Sequence, residues 1–269
     1  MTTTDALFSI EPVDEIHLGR APLAKVLTQI QFSRNPQLVS DAAESAMAAL
    51  LPQYPVRRQG VSANVTVGLT TVTQEQSPLR VYSDAADKWR VTVNESFVAL
   101  ETSTYETRDD FCSRVQQVLA AVEAASPPPI VDRVGLRYID RIAGSDLSRI
   151  NEYFTPSLTV LLGQVVPELT LEHSVSDTLI QLSASERLQV RSGFLPAGVG
   201  FDPSLVPLGE PAWLLDLDVF TAQGGLTFDP TSLTQLVRTF AQHAYSFFRY
   251  ATTPTFQKAF ESPASGGQS

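Results

Sequence analysis

A chain of 269 residues, 43% of them hydrophobic, suffices for one large domain or two small ones, and its recurring apolar runs exclude wholesale disorder. The net charge of −10 repels phosphate backbones and argues against nucleic acid as the main ligand. A single cysteine, Cys112, precludes an internal disulfide and fits a reducing, cytoplasmic compartment, and no apolar run approaches the roughly 18 residues that would make the membrane a partner.

Residues 1–20 read as an irregular lead-in punctuated by Pro12 and Gly19. Its first fifteen residues carry Asp5, Glu11, Asp14 and Glu15 with no basic start, which predicts no signal peptide. From Leu23 to Phe32, Val26, Thr28, Ile30 and Phe32 alternate with Leu27, Gln29 and Gln31, the period of a half-buried strand. A helix follows, capped by Ser40 or Asp41, with Ala43, Met47, Leu50 and Leu51 on one face and Pro52 at its end. Strands are expected at Val65–Thr73 and Leu79–Ser83, then at Trp89–Leu100, either bent or broken near Asn94-Glu95. Residues 107–125 form a second helix: Thr107 and Asp110 resemble a capping box, and Phe111, Val115, Val118, Leu119 and Val122 make its apolar stripe. Pro127, Pro128 and Pro129 stop it and act as a stiff hinge.

The second half repeats the order. Val131–Ile142 reads as a strand, 147–162 as a short helix interrupted by Pro156, and Leu169–Val175, Thr178–Ser183 and Leu188–Phe194 as strands. A loop rich in Pro and Gly runs from 196 to 211, ahead of a strand at Ala212–Phe220. The last helix has Asp229 as cap and Pro230 at its first position, with Leu233, Leu236, Val237, Phe240, Phe247 and Phe248 on its buried face. Residues 261–269 read as a disordered tail. The expected fold is α+β: two tandem strand–helix–strands–helix halves, 21–129 and 130–260, forming a curved antiparallel sheet packed on long helices.

Four stretches in this order, APLAKVLTQIQF, ALETSTYETRDDF, RVGLRYIDRI and HAYSFFRYATTPTFQKAF, resemble a sporadically distributed bacterial family of uncharacterised proteins. The resemblance runs from about residue 21 to 260, and its most specific piece is the mid-chain Arg-x-Gly-Leu-Arg-Tyr motif at Arg133, Gly135, Leu136, Arg137 and Tyr138. The family's C-terminal His, aromatic and Thr fall on His243, Phe247 or Phe248, and Thr252 or Thr253. Lys25 departs from the pattern, which has Glu there. The resemblance implies no activity; the family's distribution implies a mobile-element or defence-associated accessory.

Period 2 places Arg133, Gly135, Arg137, Ile139 and Arg141 on one face of the central strand, with Val134, Leu136, Tyr138 and Ile142 on the other. Such arginines fork onto an anion or pair with acids across the sheet. Asp216 and Asp218 share a face of strand 212–220 and are the expected partners of Arg137 and Arg141; the other reading is a carboxylate pair for a metal or acid–base work. No two of His17, His173 and His243 have a metal-ligand spacing, and His243 reads as a core histidine on an apolar face. No nucleophile elbow, phosphate loop or dinucleotide fingerprint occurs, so no cofactor and no metal are expected.

Two functions fit. One is a non-catalytic protein that binds a protein partner through the apolar 196–211 loop and an exposed sheet edge. The other is a small-ligand binder or enzyme with a site inside the sheet, drawing on Arg133, Arg137, Tyr138, Asp216, Asp218 and His243.

Overall fold

The computed structural model describes residues 8–16, 18–67, 72–159, 170–200 and 205–261, without the side chains of 62–67 and 72–76. The protein is α+β. Among the described residues nine strands form one antiparallel sheet: β1 (Leu23–Phe32), β2 (Val56–Val67), β3 (Val72–Ser83), β4 (Trp89–Val93), β5 (Phe97–Thr102), β6 (Val131–Ala143), β7 (Ser174–Gln181), β8 (Glu186–Leu195) and β9 (Ala212–Thr221). Their order is β2-β3-β4-β5-β1-β6-β9-β8-β7, so β2 and β7 are its edges. The helices are α1 (Asp41–Leu50), α2 (Arg108–Ala125), α3 (Ile150–Tyr153), α4 (Pro156–Thr159), α5 (Pro230–Ala251) and α6 (Pro254–Phe260). Among the described residues no helix is long and apolar enough to cross a membrane.

The chain divides into two compact units, one of residues 26–136 and 220–239, the other of 1–25, 137–219 and 240–269. In the first, β1 buries Val26, Thr28, Ile30 and Phe32 as the alternation requires. Ser40 caps α1 by accepting from the Ala43 amide; Ala43, Met47 and Leu51 are buried, but Leu50 is half exposed. Thr107 caps α2 in the same way through the Asp110 amide. All five residues of the α2 stripe are buried, and side chains of this size contribute roughly 1.5–3 kcal/mol each when removed from water. Trp89 of β4 meets Phe111 of α2 at 6.0 Å, and the Arg114 guanidinium lies over the Trp89 ring.

In the second unit, Phe154 packs on Trp213 of β9 with ring centroids 4.1 Å apart, and Phe256 and Phe260 stack beside Tyr153. The lead-in is irregular but fastened to α5. Ser246 and Arg249 donate to the carbonyls of Glu11 and Asp14, Tyr245 accepts from the Ile16 amide, and Phe8 packs on Phe247.

Several elements differ from expectation. The expected strand Val65–Thr73 straddles the end of β2 and the start of β3; residues 68–71 lie outside the described residues, as does His17. Trp89–Leu100 is two strands, because the Asn94 side chain accepts from the amides of Ser96 and Phe97 and turns the chain. The helix expected over 147–162 is a 3₁₀ turn (Gly144–Arg149) followed by α3 and α4, separated where Phe154 is extended ahead of Pro156; 160–162 are not described. The strand expected at Leu169–Val175 is irregular over 170–173, where His173 is exposed, and Ser174 and Val175 open β7. Most of the expected disordered tail, 262–269, lies outside the described residues.

Candidate functional site

The sequence motif on β6 delivers Arg137 to a buried carboxylate. Arg137 grips Asp216 of β9 with both arms of its guanidinium, Nε to Oδ1 at 2.7 Å and Nη2 to Oδ2 at 2.8 Å. Asp216 is only 2% exposed, so the bidentate grip supplies the charge and the donors that its burial demands. Arg191 of β8 adds a contact to Asp216 Oδ2 at 3.4 Å and turns its Nε to Asp177 of β7 at 3.2 Å. Gln189 donates to the same Asp177 carboxylate at 2.9 Å. Arg137, Asp216, Arg191 and Asp177 therefore form a ladder of alternating charge across four neighbouring strands, ending at the sheet edge.

The other candidates lie elsewhere. Arg133 lies over the Phe220 ring at 4.4 Å. Its guanidinium also covers Gly135, where a Cβ would sit 2.6 Å from Nη1, so the glycine of the motif makes room for its first arginine. Among the described residues Arg141 does not pair with an aspartate: its Nη1 donates to the carbonyl of Val206 at 2.8 Å. Asp218 is half-buried on the Asp216 face of β9, whereas Tyr138, half-buried, is on the face of β6 opposite Arg137. His243 of α5 is buried, with the Glu186 carboxylate 3.8 Å from Nδ1, beyond hydrogen-bond range. Burial pushes the His243 pKa down, favouring the neutral imidazole, and Glu186 pulls the other way.

Arg141 instead secures the loop between β8 and β9. Leu205 packs against Ile139, Leu195 and Leu214, and the Gly198 amide donates to the Leu208 carbonyl at 2.8 Å. The cavity beneath the loop, lined in part by Arg141, Leu195 and Leu214, holds about 20 Å³. That is room for a single water, against the roughly 300 Å³ at which small-molecule sites begin. On the outside the loop presents Val206, 80% exposed, and Val199, 43% exposed.

One ionisable residue escaped the sequence pattern. Asp140 of β6 is 4% exposed, and desolvation pushes its pKa up to about 7. Among the described residues no group of three or more His, Cys, Asp or Glu is arranged to hold a metal. Comparison with protein-family models and with curated proteins returns no match.

Proposed function

We propose that the chain is a non-catalytic bacterial accessory protein of the cytoplasm, which binds a protein partner through the loop between β8 and β9. The observation that carries this reading is Val206. The residue is 80% exposed although its own carbonyl accepts from Arg141 and its half-buried neighbour Leu205 packs against the core. Burying a valine contributes about 1.5–3 kcal/mol, and a loop already ordered forfeits less of that gain to conformational entropy. The mutual satisfaction of Arg137 and Asp216 supports this reading over a small-ligand site built on them.

Membership of the sporadically distributed family belongs to the same proposal and supports a mobile-element or defence context. So does an origin in two tandem halves. Counted outward from the middle of the sheet, the strand orders β1-β5-β4-β3-β2 and β6-β9-β8-β7 each run first strand, last strand, then the rest in descending order.

The test is affinity purification of the full chain from its host beside Val206→Asp. The expected result is one protein at fixed stoichiometry, reduced at least tenfold by a substitution that leaves the thermal melt unchanged. No such protein, or one retained equally by the variant, overturns the reading.

A further inference from the structure

The far edge of the sheet carries a second inference, independent of the loop. Strand β7 is terminal in the strand order and, among the described residues, pairs only with β8, in the register Asp177↔Arg191 and Leu179↔Gln189. Five consecutive residues, 175–179, are exposed, and Leu179 is 61% exposed. Among the described residues no hydrogen bond reaches the outer backbone of β7. Natural edges are blunted by lysine, proline or a bulge. The segment SVSDTLIQ has neither lysine nor proline, and its one charge, Asp177, is drawn back onto Arg191 and Gln189.

We propose that β7 pairs antiparallel with β7 of a second copy of this chain, about a two-fold axis through Leu179. A two-fold axis normal to the sheet keeps each side chain on its own face, so it must pass through a residue. An axis through Asp177 would set two carboxylates directly opposite, which is destabilising, and one through Thr178 would set Asp177 against Leu179. Through Leu179, the exposed leucine faces its own copy, Asp177 faces the amide of Gln181, and Thr178 faces Ile180. The strand is thus complementary to itself, which is what an isologous interface requires. The chain's charge of −10 opposes association at long range, but it is screened beyond about 8 Å at physiological salt, and Arg191 answers Asp177 at the contact.

The register can be read with engineered thiols, because Cys112 is the chain's only cysteine and is buried. Residues facing themselves across an antiparallel axis lie about 4.5–5.5 Å apart, within disulfide range. Residue 175 would stand eight positions from its copy, about 27 Å away. Leu179→Cys should therefore form a disulfide-linked dimer on mild oxidation, and Val175→Cys should not. Sedimentation of the unmodified chain should show a concentration-dependent dimer, weakened at least tenfold by Leu179→Lys. A monomer at all concentrations, equal cross-linking at both positions, or an unaltered dimer in Leu179→Lys overturns the proposal. Val206→Asp should leave the dimer intact and Leu179→Lys should leave the partner protein bound, so failure of one interface is distinguishable from failure of the other.

Discussion

At the scale of single residues, the chain surrounds one buried carboxylate with cations, while burial alone pushes the pKa of another upward. Asp216, 2% exposed, is held by Arg137 and touched by Arg191. Removing one member of a buried pair strands the other and costs about 3–5 kcal/mol. Arg137→Ala should therefore lower the unfolding free energy by about that amount in urea titrations. Arg191→Ala, at a side chain 30% exposed, should cost about 1 kcal/mol or less. Asp140 behaves differently: its folded pKa, pushed to about 7, lies above the ordinary 3.8. The folded state then holds a proton that the unfolded chain releases. The stability this contributes is complete below about pH 4, declines as pH rises, and is gone above about pH 7. Asp140→Asn should flatten the stability profile across that window, and parallel denaturation series at pH 4 and pH 8 would measure it. Asp216 was legible in the sequence because a second aspartate and a stripe of arginines stand at the same period. Asp140 was not, because a lone acid in an otherwise apolar alternation carries no sign of burial.

At the scale of elements, what the sequence disclosed follows from which faces are buried. β1 and α2 each bury one face, so period 2 and period 3.6 located them within a residue at either end. β2 and β7 are edges with exposed residues, and there the alternation that marks a strand fades; for that reason it marks neither residues 56–64 nor the start of β7. The pairing of Arg141 with Val206 was equally hidden, since a side chain bonding a loop carbonyl leaves no mark in residue type. Gly193 shows how a small residue sets an element. A Cβ there would stand 2.1 Å from the Ser174 carbonyl oxygen and 2.7 Å from the Val175 Cα, both backbone atoms that cannot swing aside. Gly193→Ala should therefore loosen β7 from β8 while leaving the rest of the sheet folded. Hydrogen exchange would show this as lost protection confined to 174–181 and its partners on β8.

At the scale of the whole molecule, the α+β class was legible from the alternation of periods, but the strand order was not. It depends on contacts such as Arg137 with Asp216, 79 positions apart, which no local pattern encodes. The functional reading rests on a division of labour. Arg137 and Asp216, the pair on which a ligand site would be built, are spent on one another across the sheet, while Val199 and Val206 stand exposed on a fastened loop. The most direct test is native mass spectrometry of the full chain isolated gently from its host. The account predicts a complex with a second protein at fixed stoichiometry, absent for Val206→Asp. A chain that retains a small molecule and no protein would contradict it and shift the function to the interior of the sheet.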